Sequence, residues 1–143
     1  WNIKKGKPRV VKYIGYPANY GMIPQTLLPK KLGGDGDPLD AIVLGPPIAR
    51  GSVAQARLIG VLKLLDDGEQ DDKLIAVNPD SPFFKVKSIK ELDDNFPGIT
   101  EILEIWFTNY KGSGEMQSKG FAEIEEAKSI LQKASNYFSK NNE

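Results

Sequence analysis

Apolar and polar residues alternate through the middle of the chain and recur at helical spacing toward its end. From Ser52 to Leu65, Ala54, Ala56, Leu58, Gly60, Leu62 and Leu64 fall on one side and Gln55, Arg57 and Lys63 on the other. That is the period of a half-buried strand. Ala41-Ile42-Val43-Leu44 and Leu74-Ile75-Ala76-Val77 are unbroken apolar runs of strand length, and Arg9 to Tyr13 is strand-like. Further on, Ile99, Ile102, Leu103, Trp106, Phe107 and Tyr110 recur three and four residues apart. They predict a helix from Pro97 to Gly112, with the proline in its first turn and the glycine just past its end. Ile124, Ala127, Ile130, Leu131, Ala134, Tyr137 and Phe138 predict an amphipathic helix over about Ala122 to Phe138, followed by a polar, fraying Ser139 to Glu143. Ser88-Ile89-Lys90-Glu91 has the form of a capping box and opens a short helix before Asn95. Strands in the middle and helices toward the end give an α+β, mainly β, architecture: a small β-barrel flanked by two α-helices, in a single domain over residues 1–143.

Two acidic clusters interrupt this pattern, each at a strand end. Gly33-Gly34-Asp35-Gly36-Asp37-Pro38-Leu39-Asp40 precedes the first apolar run, and its glycines and proline rule out a helix and favour a tight loop. Carboxylates this close repel one another unless cations sit among them, so the cluster calls for divalent metal or for several lysines and arginines. A helix-loop-helix calcium loop counted from Asp35 would need Gly and Glu at its sixth and twelfth places, where Asp40 and Pro46 stand. That reading fails, and the competing reading is an acidic surface turn. The second cluster, Asp66-Asp67-Gly68-Glu69-Gln70-Asp71-Asp72-Lys73, lies between the long strand and the Leu74–Val77 run as a hairpin-like connection. Alone it would read as a solvated turn; two such turns in one small domain point to one cation-rich pocket.

Composition narrows the chemistry. The chain holds 19 basic and 19 acidic residues among 143, with no lysine-rich run, which disfavours nucleic-acid binding. No apolar stretch approaches the roughly 20 residues that span a bilayer, so no membrane partner is expected. Cysteine and histidine are both absent, which removes disulfides, zinc–thiolate sites, thiol nucleophiles and Ser-His triads. Acid–base work falls to Asp, Glu, Lys or Tyr.

Asp35-Gly36-Asp37-Pro38-Leu39-Asp40-Ala41 resembles, at every place, the signature of the family I soluble inorganic pyrophosphatases. The resemblance continues through Tyr16-Pro17-Ala18-Asn19-Tyr20-Gly21, Gly60-Val61-Leu62-Lys63 and Phe107-Thr108-Asn109-Tyr110-Lys111, covering about Arg9 to Tyr137. It implies a closed barrel of the oligonucleotide/oligosaccharide-binding type, a cytoplasmic location, a homo-oligomer that is a hexamer in prokaryotic relatives, and Mg²⁺-dependent hydrolysis of inorganic pyrophosphate. It implies Asp35, Asp40, Asp66 and Asp71 as metal ligands, with Asp40 and Asp71 shared between ions, and Asp37 as the general base. Oxygen-only ligands with retained waters suit magnesium. Lys73, Tyr110 and Lys111 become phosphate contacts, and Tyr20 offers a phenol donor; Tyr16, held extended by the X-Pro step after it, stands behind these contacts, and its ring need not point the same way as that of Tyr20. Without the resemblance, Lys73 reads equally as a salt bridge to Asp71 or Asp72, and Lys111 as a cation at a helix C-terminus. Arg9 is the candidate phosphate-binding arginine, one residue closer to Tyr16 than the family usually shows, with Lys7 and Lys12 as substitutes. The family's usual segment ahead of this arginine is missing from a chain that starts at Trp1. The alternative expectation is therefore a truncated or non-catalytic homologue that binds metal and phosphate without turnover.

Overall fold

The computed structural model describes residues 3–4, 6–8 and 10–142. A hairpin of β1 (Ile3–Lys4) and β2 (Lys7–Pro8) precedes a six-stranded mixed sheet. The sheet contains β3 (Asn19–Met22), β4 (Asp40–Leu44), β5 (Arg57–Asp66), β6 (Glu69–Gln70), β7 (Lys73–Val77) and β8 (Met116–Glu123). Its order is β3-β4-β7-β5, with β6 and β8 also paired to β5. Among the described residues only the β4–β7 pair is parallel, with Asp40 opposite Lys73 and Leu44 opposite Val77. The outer strands β3 and β8 share no ladder among the described residues.

Three helices follow: α1 (Ile89–Asn95), α2 (Ile99–Asn109) and α3 (Ile124–Asn141). The capping box holds, since Ser88 Oγ accepts the Glu91 N–H at 3.0 Å. The Glu91 carboxylate reaches back to the N–H of Lys87 instead of that of Ser88. Helix α2 is shorter than its pattern predicts. Pro97 stands outside it, because the N-cap is Gly98 in a left-handed conformation (φ 95°). Leu103, Trp106 and Phe107 are buried, but Ile102 is 56% exposed. At 100° per residue Ile102 lies at the margin of the stripe, and the sheet takes the Phe107 flank instead. Helix α3 continues to Asn141, past the expected fraying point at Ser139. Residues Val10 to Tyr13 form no strand.

The long strand also departs from simple alternation. It starts at Arg57, residues 52–56 being exposed, and a bulge between Leu58 and Gly60 resets its register against β7. Gly60, Leu62 and Leu64 then face the main core, which includes Ile42, Ile75, Leu103 and Phe107. Val61 faces the other way, into a second cluster with Leu74, Ala127 and Ala134 of the α3 side. Because α3 covers the sheet's second face, β5 and β7 are buried on both faces, which produces an unbroken apolar run such as Leu74–Val77. Among the described residues, no helix is long and apolar enough to cross a membrane.

Candidate active site

The parallel pairing of β4 and β7 decides where the chemistry gathers. Both strands begin at the same end of the sheet, so the loop before Asp40 and the loop before Lys73 emerge side by side. Antiparallel β5 ends there at Asp66, and β8 starts there with Met116 opposite Asp66. The α2–β8 connection thus delivers Tyr110 and Lys111 to the same rim. Side-chain parity does the rest. Asp40, Asp66 and Lys73 each stand two residues outside a core side chain, respectively Ile42, Leu64 and Ile75, and so point to the core face at its open end.

The first acidic loop is tied down by backbone contacts. Gly36 N–H donates to Leu28 O at 2.9 Å, and a Cβ on Gly34 would meet that carbonyl at 2.0 Å, so only glycine fits. Asp35 Oδ1 accepts the Asp37 N–H at 2.9 Å, closing a tight Asx turn that leaves both carboxylates exposed. Thr26 Oγ1 accepts the Leu39 N–H and donates to Ile23 O, anchoring the loop's exit. The second loop turns at Asp67-Gly68, both at positive φ (50° and 80°), the two-residue hairpin turn that Asp-Gly favours. Outside the rim, Lys30 pairs with Glu69 at 2.9 Å and links the two loops.

Lys73 is the electrostatic centre. It is 3% exposed, and its Nζ donates to Asp40 Oδ2 and Asp71 Oδ1, each at 2.7 Å. Of the two salt-bridge partners expected, Asp71 is the one engaged. Asp72 is one residue on, bonded instead to Gln70 Nε2 at 3.0 Å. Burial alone would lower the ammonium's pKa; Tyr20, Asp40 and Asp71 around it reverse the sign and raise it. Burial pushes the Tyr20 phenol well above its ordinary range, so it stays protonated and able to donate. Partial desolvation and the neighbouring charges of Asp37, Asp71 and Asp40 raise Asp35, against the opposing Asp37 N–H. Lys111 pairs with Asp66; its charge is engaged across the rim as well as placed after a helix end.

The contacts among the aromatic rings go beyond the sequence pattern, which places Tyr20 and Tyr110 at the site and Trp106 on a buried helix stripe. Tyr16, expected only to pack behind Tyr20, stacks on it with centroids 4.7 Å apart, and Trp106 stacks on Tyr110 at the same separation. The four-residue spacing of Trp106 and Tyr110 along α2 was the available signal. Arg9 lies outside the described residues. Lys12 lines an open cavity of about 490 Å³ with Asp66, Asp67, Tyr110 and Lys111.

Asp40 and Asp71 meet Lys73, Asp35 and Asp37 stand on the adjoining turn, and Asp66 meets Lys111 further along the rim. The donor set is all oxygen with excess negative charge, which fits hard divalent cations. Among the described residues, no three carboxylates converge closely enough to hold an ion by themselves. Such a cation would therefore be completed by water or by an anionic ligand, as magnesium usually is. On this mixed sheet an acidic rim is faced by ammonium and phenol donors, so one end of the sheet carries donors for a hard cation and for an oxyanion. The chain belongs to the inorganic pyrophosphatase family, whose model matches residues 2–139.

Relatives agree. The inorganic pyrophosphatase of Pseudomonas aeruginosa is 40% identical over 129 residues, 87% of this chain and 71% of that protein. The mitochondrial inorganic pyrophosphatase of Saccharomyces cerevisiae is 38% identical over 125 residues, 76% of this chain but only 40% of that protein. A solved Trypanosoma cruzi vacuolar soluble pyrophosphatase, crystallised with PPi, superposes with a TM-score of 0.89 at 27% identity, over 98% of this chain and 59% of that one. For the Helicobacter pylori enzyme the TM-score is 0.78 at 37% identity, over 92% and 77%.

Proposed function

We propose that the chain hydrolyses inorganic pyrophosphate to two phosphates with Mg²⁺ as cofactor. The observation that carries this is the Lys73 ammonium bonded to Asp40 and Asp71 at the rim where both acidic turns meet. Asp35, Asp40, Asp66 and Asp71 would hold the cations, Asp40 and Asp71 between two of them. Bound divalent ions neutralise the anion and make water a better nucleophile. Asp37, exposed beside Asp35, takes the proton from the attacking water. Lys73, Lys111 and the phenols of Tyr20 and Tyr110 bind phosphoryl oxygens and hold the anion in line, and Arg9 supplies a further phosphate contact. The Tyr20 phenol, protonated throughout the neutral range, donates without exchanging its own proton.

The same reading includes one domain and an OB-like closed barrel. Support for closure comes from the core, where Tyr20 of β3 and Met116 and Phe121 of β8 pack into one cluster although their strands are not paired. It also includes a cytoplasmic location and a homo-oligomer, hexameric by resemblance. The exposed Ile102 and Ile105 side chains of α2 are suited to a subunit contact, and sedimentation velocity tests it. The direct test of activity is phosphate release from pyrophosphate across a Mg²⁺ titration, with Ca²⁺ as control. Mg²⁺-dependent release suppressed by Ca²⁺ is expected; a folded protein that binds Mg²⁺ and releases no phosphate would refute the hydrolytic reading.

A further inference from the structure

A chain of four rings, two stacked pairs joined through a contact tilted by 35°, runs between the two lysine-bearing halves of the rim. Tyr20 and Tyr16 stack at 4.7 Å with planes 6° from parallel, Tyr16 meets Trp106 at 4.5 Å, and Trp106 stacks on Tyr110 at 4.7 Å and 10°. Each terminal ring carries an ammonium: Lys73 Nζ is 5.5 Å from the Tyr20 centroid and Lys111 Nζ 5.8 Å from that of Tyr110. The first ammonium holds Asp40 and Asp71, and the second holds Asp66. The stack therefore joins one anchored half of the site to the other.

Its middle is fixed from behind. Trp106 is 3% exposed, and its Nε1–H donates to Ile14 O at 3.1 Å. An indole has one donor, and here it is spent on the backbone, so any influence of Trp106 on a bound anion passes through its neighbours. Phe107 meets the indole edge-on at 4.9 Å and lies 5.7 Å from Tyr20, 6.3 Å from Tyr16 and 6.0 Å from Tyr110, so it backs all four rings from the core. Trp106, buried on all sides, resists compression and rotates little, and Tyr16, half exposed, is held between it and Tyr20, so the two in series keep the terminal rings apart.

We propose that Trp106, with Tyr16, sets the distance between the Tyr20–Lys73 half and the Tyr110–Lys111 half, and thereby the length of phosphoanhydride chain that the site accepts. This rests on the reading of the rim as a pyrophosphate site. An anion with two phosphoryl groups would meet an ammonium and a phenol at each end, reaching inward from the two halves at the separation the rings maintain; one with three needs the halves re-spaced. Trp106 is thus a positioning residue for length selection, with no contact of its own to the reacting atoms.

The test is calorimetry in Mg²⁺ of methylenediphosphonate, which resists hydrolysis, against tripolyphosphate, on the wild type, Trp106→Phe and Trp106→Leu, with pyrophosphate turnover measured alongside. The wild type should prefer the diphosphonate, and Trp106→Phe, which keeps a ring in the stack, should stay within about threefold of that preference. Trp106→Leu should lower the preference by about tenfold, since small displacements of a gripping group carry penalties of that order or more. An indole that only fills the core would weaken both anions by the same factor. That outcome, an unchanged preference in Trp106→Leu, or a wild type without preference overturns the proposal. If Trp106→Leu does not melt cooperatively, Tyr16→Leu, at a ring 42% exposed, replaces it with the same expectation. A wild type that selects the diphosphonate yet releases no phosphate refutes the hydrolytic reading, while the calorimetric ratio still decides the spacer.

Discussion

Replacing Lys73 by Met removes the cation on which Asp40 and Asp71 converge while keeping most of the apolar stem. Deleting one partner of a buried ion pair costs roughly 3–5 kcal/mol, because the remaining charge is left uncompensated. Lys73 is 3% exposed, but the Asp40 and Asp71 side chains retain 28% and 15% exposure. Water therefore relieves part of the stranded charge, and the expected loss is about 2–3 kcal/mol. For a chain of this size, that lowers Tm by about 4–12 °C. Urea unfolding in a chelator is the assay: the midpoint should fall with an unchanged slope. Adding Asp71→Asn to the variant should restore about 1 kcal/mol, since one of the two stranded carboxylates is gone and coupled neighbours do not add. Mg²⁺ should stabilise Lys73→Met more than the wild type, because the ion meets no competing ammonium. A midpoint shift worth less than about 0.5 kcal/mol, the range of ordinary surface changes, would refute the argument that this lysine holds the rim together.

Asp37→Asn should leave folding and Mg²⁺ affinity near wild type and lower phosphate release by about 10²–10⁴-fold, the usual contribution of a general base; equal turnover would remove Asp37 from that role. Asp40→Asn should instead weaken Mg²⁺ binding itself, read by calorimetry without substrate. Gly60→Ala should destabilise by about 1–3 kcal/mol, because the new Cβ would stand 2.4 Å from Ile89 Cγ1 and 2.6 Å from the Ala122 carbonyl; thermal melting checks it. Stability in chelator should fall steeply at alkaline pH. Lys73 and Tyr20 hold their protons in the folded state beyond their ordinary values of 10.5 and 10.0, so above about pH 10 the unfolded chain binds fewer protons and unfolding is favoured as pH rises. Tyr20→Phe should flatten that fall, and an unchanged profile would show that the phenol is not held in its protonated form.

The acidic turns were legible because their signals are local. Asp-Gly at positions 67–68 specifies its turn by backbone sterics alone, and the glycines and proline around Asp35 exclude a helix without reference to the rest of the chain. The convergence of the two turns was inferred from chemistry, and its cause lies in a pairing between residues over thirty apart, Asp40 with Lys73, for which no local pattern exists. Alternation failed where tertiary structure intervened. The bulge at Ile59 shifts the face of every later residue in β5, and α3 makes the supposedly polar face apolar around Val61 and Leu74. Lys73 could not be settled between phosphate ligand and salt bridge because sequence distance reveals Asp71 but conceals Asp40.

These long-range features make the site inseparable from the core that supports it. Asp40, Asp66 and Lys73 face the rim by the same alternation that buries Ile42, Leu64 and Ile75 two residues inward. A one-residue slip of β7 against β4 would carry Lys73 to the α3 face and expel Ile75 from the core together. The penalty of exposing the apolar side chains therefore also protects the register of the charged ones. The rim can gather repelling carboxylates, a local cost, because the strands that present them are held by two packed faces rather than one. That is why the acidic loops attach to the sheet's inner strands, the first to β4 and the second to β5 and β7, and not to the outer strand β3, whose Gly21 and Met22 stand exposed.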